Sequence, residues 1–185
     1  MTDAPRLSAA ERTALLSVAM GALREHLAGR SPPAERAPGA LAVPRGAFVT
    51  LRIRGELRGC VGTFTPAGSL SSTVARMAVA AAVDDPRFPP VSPDDLDELD
   101  VHVSVLDPLR RMRDLSELQV GRDGILVQLG WHRGALLPSV AVEERWDAVR
   151  FLERTCIKAG LPPSAWRDPK ALVELFSTEE VGGDL

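Results

Sequence analysis

Residues 57–64, Leu-Arg-Gly-Cys-Val-Gly-Thr-Phe, bring a thiol, a guanidinium and two glycines together in one short segment. The segment has the pattern of a β-strand, in which Arg58 and Cys60 lie on the same face. A guanidinium beside a thiol favours the thiolate, which is the nucleophilic and metal-binding form of cysteine. Glycine is unfavourable in a strand, so Gly59 and Gly62 indicate a close approach by another element or by a ligand. The sequence therefore predicts a site at this strand without naming its reaction.

Two interpretations of Cys60 remain open. As a catalytic nucleophile it needs an activating cation or base, and the candidates are Arg58 in the same strand and His102 in a neighbouring one. As a small core residue it needs neither, because free cysteine is among the most buried residue types. Arg58 also has two interpretations, an anion clamp or a structural ion pair with an acid such as Asp84 or Asp85, and the ion pair is favoured.

The proline-rich loop 85–90, Asp-Pro-Arg-Phe-Pro-Pro, is the second part of the predicted site. Its prolines would hold Asp85 and Arg87 ready for a substrate at low entropic cost. The alternative, slightly favoured, is a buttress with Phe88 in the core and Arg87 in a salt bridge between lobes. Backbone amides around the two glycines would face developing negative charge. The predicted substrate-binding residues are Gly59, Gly62, Thr63, Asp85 and Arg87.

Capping signals and periodicity predict the elements that position these residues. Ser8 and Glu11 form a capping box for a first helix that ends before Gly29. Alternation over 47–54 predicts a strand, joined through a Gly55-Glu56 turn to the cysteine-bearing strand as a hairpin. The other predicted elements are a helix from Leu70 to about Asp84, a short helix after Ser92, strands around 101–105, 125–129 and 135–137, a helix after Asp147, and a last strand over 171–178.

This order of elements predicts an α+β fold with a mostly antiparallel sheet covered by helices. The chain has 185 residues, which fits a single domain over 1–185. The segment 31–46 is rich in Pro, Ala and Gly and is interpreted as a connector. Cys156 lies in the apolar stripe of its helix and is predicted to be core.

Composition excludes several classes of function. The net charge of −3 disfavours a nucleic-acid-binding surface, and no apolar run is long enough to span a membrane. The polar N-terminus is unlike a secretory signal, and the two cysteines lie far apart, so a reduced, cytoplasmic protein is expected. His26, His102 and His132 lack metal-ligand spacing, so no metal site is predicted, and the sequence identifies no cofactor.

Several motifs along the chain resemble those of the AMMECR-one family, known in prokaryotes as AmmeMemoRadiSam system protein A. The match rests on residues 57–64, on the loop 85–90 and on five further segments. Those five are Val-Ser-Val-Leu at 103–106, the Gly-x-x-Gly turn at 121–124, residues 136–142, Trp-Asp at 146–147, and Cys-x-Lys-Ala-Gly-Leu-Pro-Pro-x-x-Trp at 156–166. The resemblance covers nearly the whole chain.

The resemblance implies a two-lobed α+β protein, with the N- and C-terminal segments in the larger lobe, the middle region in the smaller one, and the signature strand beside a cleft. It implies no defined reaction, and it associates the chain with a radical SAM protein and a Memo-like protein. Ser139 and Asp123 depart from the family pattern, which often has glutamine and histidine there. The leading hypothesis is a small cytoplasmic enzyme or enzyme component with thiol chemistry at Cys60. The alternative is a non-catalytic protein that docks those partners.

Overall fold

The computed structural model describes residues 6–31 and 38–182, and the chain divides into two compact units. The first unit contains residues 1–106 and 179–185, and the second contains residues 107–178. Each unit has its own hydrophobic core and its own four-stranded sheet. The predicted α+β fold with antiparallel pairing is therefore confirmed, with two sheets where one was expected.

The described elements begin and end as follows. The helices are α1 (Ala9–Leu27), α2 (Leu70–Val83), α3 (Pro138–Glu143) and α4 (Ala148–Lys158). The strands are β1 (Ala47–Ile53), β2 (Glu56–Thr63), β3 (Leu99–Leu106), β4 (Arg110–Arg111), β5 (Gly124–Leu129), β6 (His132–Leu136), β7 (Leu172–Phe176) and β8 (Thr178–Val181). Short 3₁₀ helices occupy Gly39–Ala42, Pro93–Glu98, Leu115–Glu117 and Pro163–Arg167.

The first sheet has the strand order β2-β1-β3-β8, and α1 and α2 pack on one of its faces. Strand alternation sends Val49 and Val103 into the core beneath these helices, where both are fully buried. The opposite face carries polar side chains that are half-buried, Thr50 and His102 among them. The capping box of Ser8 and the stop at Gly29, whose φ is 71°, are present in α1 as predicted.

The hairpin between β1 and β2 is present, but its turn consists of Arg54 and Gly55 instead of the predicted Gly55-Glu56. Both turn residues have positive φ, 52° and 82°, which is the backbone of a tight two-residue hairpin turn. The pairing then slips from Leu51–Gly59 to Arg52–Leu57, so Arg58 has no direct partner in β1. This β-bulge interrupts the alternation from which the face of Arg58 was predicted.

The connector prediction for 31–46 is partly outside the described residues, because the structure describes 31 and 38–46 but not 32–37. Its described part contains a 3₁₀ helix, Gly39–Ala42, where no element was expected. Ala40 and Leu41 are buried there and join the core of the first unit. Apolar residues of the segment therefore form structure that its composition did not indicate.

The second sheet has the order β4-β7-β5-β6, with α4 packed on β5 and β6. The helix capped by Asp147 is confirmed, whereas α3 was not predicted. The β5–β6 hairpin is tighter than expected, because only Gly130 and Trp131 lie between the strands. Cys156 is fully buried in this core, as predicted, and burial raises the pKa of its thiol.

The strand predicted over 171–178 is present as β7, but a second strand that was not predicted follows it and belongs to the other sheet. Residues Leu172–Phe176 form β7 in the second sheet, and the chain then enters β8 in the first sheet after Ser177. Residues on both sides of Ser177 favour an extended backbone, so the sequence gave no sign that the chain passes from one sheet to the other there. Among the described residues, no helix is long and apolar enough to cross a membrane.

Candidate functional site

Cys60 lies on β2 opposite Thr50 of β1, on the sheet face that α1 and α2 leave uncovered. The residue is half-buried, and its thiol is free. The Thr50 hydroxyl donates a hydrogen bond to the Cys60 sulfur over 3.3 Å. Cys60 is therefore partly accessible and its sulfur has a polar neighbour, whereas Cys156 is fully buried in the second core.

The backbone of Cys60 is tied to the loop that follows α2. Its N–H donates to a carboxylate oxygen of Asp85 over 2.9 Å. Since β2 is the terminal strand of its sheet, this carboxylate caps an N–H that no further strand receives. Asp85 is only 6% exposed, so its charge is held at the sheet edge instead of in solvent.

Arg87 completes this arrangement from the same loop. Its Nε and Nη2 donate to the two carboxylate oxygens of Asp85 at 2.9 and 2.7 Å, a bidentate pair. Hydrogen bonds from Arg87 hold the pKa of the Asp85 carboxyl well below its usual range, and Asp85 in turn raises the pKa of Arg87. The Cys60 N–H and the Arg87 Nη2 both donate to Oδ2 of Asp85, so the guanidinium lies near the backbone of Cys60. We call Asp85 and Arg87, with the Cys60 amide, the carboxylate clamp.

Phe88 of the same loop was expected to fill the core if the loop were a buttress. It is half-buried, and the Arg87 guanidinium lies over its ring at 5.2 Å from the centroid. The ion pair of Arg87 is made within the loop, to a residue two positions before it. The loop therefore holds a guanidinium next to β2 through its own side chains.

Arg58, the predicted neighbour of the thiol, contacts other groups. Its Nη1 donates to the Pro89 carbonyl over 2.7 Å, and its Nη2 lies 4.0 Å from a carboxylate oxygen of Asp95. It lines an open groove of about 510 Å³ bordered by β1, β2 and the 3₁₀ helix Pro93–Glu98. The acid that it pairs with is Asp95, not Asp84 or Asp85, and the guanidinium linked to the Cys60 amide through a carboxylate is that of Arg87.

The glycines of the signature make room for the protein's own atoms. A Cβ on Gly59 would lie 1.9 Å from the carbonyl oxygen of Ala81, because α2 crosses β2 at this point. A Cβ on Gly62 would lie 2.3 Å from the ring of Phe48. Close packing therefore accounts for both glycines without a ligand. Thr63 uses its hydroxyl locally, accepting the N–H of Thr65 over 3.1 Å.

His102 lies on β3, directly opposite Thr50 of β1. Cys60, Thr50 and His102 therefore form a row across three neighbouring strands. Two strand spacings, about 10 Å between backbones, separate the thiol from the imidazole. One ring nitrogen of His102 lies 2.7 Å from a carboxylate oxygen of Asp100. Thr50 was not predicted as a site residue. The signal that identifies it is its register position opposite the cysteine, which the sequence alone does not fix.

The two positions where the resemblance led us to expect other residues, Asp123 and Ser139, lie in the second unit. Asp123 is 1% exposed and accepts hydrogen bonds from Arg110, Arg122 and the Gln119 amide. Burial opposes its ionisation, but these donors outweigh that cost and lower the pKa of its carboxyl. Ser139 is exposed in the first turn of α3. Asp123 therefore has a full set of structural partners.

Within residues 6–31 and 38–182, no group of three or more histidine, cysteine or acidic side chains is placed to hold a metal ion. The site as described consists of a half-buried cysteine, a hydroxyl that donates to its sulfur, and a guanidinium that a buried acid links to its backbone N–H. Such a group of side chains is able to bind an anion and to act as a nucleophile.

These features define an α+β protein with a cysteine-bearing edge strand, and comparison with known proteins gives its family. The AMMECR1 family model matches residues 16–181, so the chain belongs to the AMMECR1 family. A protein of Methanothermobacter thermautotrophicus is 44% identical, over 94% of this chain and 94% of its own length. A protein of Thermococcus kodakarensis is 46% identical, over 80% of this chain and 77% of its own.

A solved structure has the same fold. The crystal structure of an uncharacterised protein from Pyrococcus horikoshii matches with a TM-score of 0.83 and 41% identity. The match covers 90% of this chain and 88% of that one. The family resemblance stated from the sequence motifs is therefore confirmed.

Proposed function

We propose that this protein is a thiol-dependent enzyme or enzyme component whose reactive group is the sulfur of Cys60. The observation that carries the proposal is the sulfur's surroundings. Cys60 is half-buried, its sulfur accepts a hydrogen bond from Thr50, and its backbone N–H shares an oxygen of Asp85 with the Arg87 guanidinium. A cysteine that serves only as core filler, such as Cys156, has no exposure at all.

The chemistry that fits this arrangement is nucleophilic attack on an electrophilic carbon. The thiol releases its proton to solvent, and a sulfur lone pair forms the new S–C bond. The electron pair displaced from the carbon goes to a carbonyl oxygen or to a leaving group. Arg87 provides the positive charge that a thiolate at Cys60 would face, and the Thr50 hydroxyl stabilises the same negative charge.

Arg87 takes the role that the sequence assigned to Arg58. The clamp links Arg87 to the backbone N–H of Cys60 through Asp85, whereas Arg58 donates to the Pro89 carbonyl and pairs with Asp95. His102 remains a candidate for proton transfer or substrate positioning on the same sheet face. In this proposal His102 acts only through a substrate or a water molecule that bridges the gap between its imidazole and the Cys60 sulfur.

Alkylation of the folded protein tests the proposal. The chain has two cysteines, so iodoacetamide followed by mass measurement counts the reacted thiols directly. We expect one alkyl group per folded chain, on Cys60, and two after unfolding. At pH 7 Cys60 should react faster in the folded protein than in the unfolded one, because folding provides the guanidinium and the hydroxyl.

Two arginine variants separate the roles of the two cations. Arg87→Met should slow the alkylation of folded Cys60, and Arg58→Met should leave it unchanged. An unreactive Cys60 in the folded protein, or a rate no higher than that of the unfolded chain, would contradict the proposal. Equal effects of the two variants would remove Arg87 from it.

A docking role is the second candidate, and Trp131 is the observation that favours it. This indole is 96% exposed at the tip of the β5–β6 hairpin, where large apolar side chains often mark protein contacts. The partners proposed from the family resemblance are a radical SAM protein and a Memo-like protein. If they dock here, Trp131→Ala should weaken their binding in calorimetry while leaving Cys60 alkylation unchanged.

Both cysteines are free, which fits the proposed cytoplasmic setting, because thiols persist in a reducing compartment. The proposed cysteine chemistry also needs such a setting.

A further inference from the structure

The Arg87 guanidinium is used on one edge only. Asp85 takes the edge formed by Nε and Nη2, in two hydrogen bonds of 2.9 and 2.7 Å. The opposite edge, formed by Nη1 and the second N–H of Nη2, has no protein partner in the described part of the chain. The side chain is 56% exposed, so this second edge is open to a ligand.

The guanidinium is also held in place. Asp85 is buried and is itself anchored by the Cys60 amide, so the orientation of Arg87 is tied to the backbone of the cysteine. One face of the guanidinium lies over the Phe88 ring. A fixed arginine binds an anion with less loss of side-chain entropy than a mobile one.

The acid of the clamp does not cancel the binding capacity of Arg87. Its Oδ1 accepts the Arg87 N–H and Nε, and its Oδ2 accepts the Cys60 N–H and Nη2. Each carboxylate oxygen therefore shares its charge with a backbone amide as well as with the guanidinium. The N–H bonds on the free edge point away from this carboxylate, in the geometry that suits a bidentate anion.

We propose that the substrate of the Cys60 thiol carries a carboxylate or phosphate group that binds the free edge of Arg87. This inference rests on the proposed function and names the substrate class of the same site. Arg87 then has two effects, since it stabilises the thiolate and places the substrate's anionic group beside it. The electrophilic carbon of the substrate then lies between the anionic group bound to Arg87 and the sulfur of Cys60.

Two alkylating reagents that differ only in charge test the inference. Iodoacetate and iodoacetamide both alkylate a thiol at a CH2 carbon and release iodide. Only iodoacetate carries a carboxylate. The measured quantity is the ratio of their second-order rate constants at Cys60. In the folded protein this ratio should exceed the ratio in the unfolded chain by about tenfold, the effect of one charge-assisted contact.

Variants then assign the preference to Arg87. Arg87→Met should return the ratio to that of the unfolded chain, and Arg58→Met should leave it high. The loss of Arg87 leaves the buried carboxylate of Asp85 without its cation, which can destabilise the fold. The double variant Arg87→Met, Asp85→Asn provides a second test, because it removes this unpaired negative charge. The comparison of folded and unfolded wild-type protein needs no variant at all.

Protection experiments distinguish the two anions. Inorganic phosphate and acetate are each added before iodoacetamide, and the anion that slows alkylation at the lower concentration identifies the substrate's group. Fast reaction with iodoacetamide but no preference for iodoacetate would overturn this inference and leave the proposed function standing. No reaction of folded Cys60 with iodoacetamide would overturn both.

Discussion

Asp85 accepts the backbone N–H of Cys60, an atom 25 residues earlier in the chain, over 2.9 Å. The same carboxylate holds the guanidinium of Arg87. One buried acid therefore closes the edge of the first sheet and places a cation beside its cysteine. This relationship makes the clamp both a structural and a chemical feature, and the two aspects can be measured separately.

Acid should weaken the clamp. Hydrogen bonds from Arg87 lower the pKa of Asp85, so Asp85 stabilises the fold above its unfolded pKa of about 3.9. That contribution is lost as the pH falls below this value toward the lower folded pKa. Between about pH 5 and pH 2, the free energy of unfolding should fall less steeply in Asp85→Asn than in wild type. Asp84→Asn is the control, because Asp84 is exposed and outside the clamp.

Gly59→Ala should destabilise the first unit by about 2 kcal/mol or more. The added methyl group would overlap the Ala81 carbonyl oxygen, which belongs to the backbone of α2 and cannot rotate away. Urea unfolding provides the measurement. Gly21→Ala in α1 is a matched control, because nothing lies within 4 Å of its Cβ position, and it should gain up to about 1 kcal/mol.

Cys60→Ser and Cys156→Ser should have different effects on thermal unfolding. The Cys60 sulfur is half-buried and its neighbour is a hydroxyl, so serine there should cost less than about 1 kcal/mol. Cys156 is fully buried among apolar side chains, and a serine hydroxyl there should cost about 2 kcal/mol. A larger loss for Cys60→Ser than for Cys156→Ser would support the core interpretation of Cys60.

Glu179→Gln should reveal the importance of the buried acid in the first unit. Glu179 is 2% exposed, lies 3.9 Å from buried Arg45, and pairs with Arg12. Neutralising it removes a buried negative charge that faces both guanidinium groups, at a cost of about 3 kcal/mol in urea unfolding. The exposed pair of Arg54 and Glu98 offers the comparison, because Glu98→Gln should cost less than about 1 kcal/mol. Similar losses of unfolding free energy in Glu179→Gln and Glu98→Gln would contradict a stabilising role for the buried acid.

Local signals in the sequence determined much of the fold. The capping box of Ser8, the alternation in β1 and the Asp147 cap act over a few residues, so each element forms where its own pattern places it. The close approach at Gly59 was also predictable, because a glycine in a strand implies a crowded backbone. The sequence motifs were enough to identify the family.

Tertiary structure alone decided which groups surround the thiol. A bulge at Arg58 interrupts the strand alternation, and its position depends on pairing with β1. Thr50 meets Cys60 through strand register, and Arg87 reaches it because the loop after α2 returns to β2. In the same way, the segment around Ser177 changes sheets because each half finds a different partner. Contacts between distant parts of a chain depend on packing, which local sequence patterns do not encode.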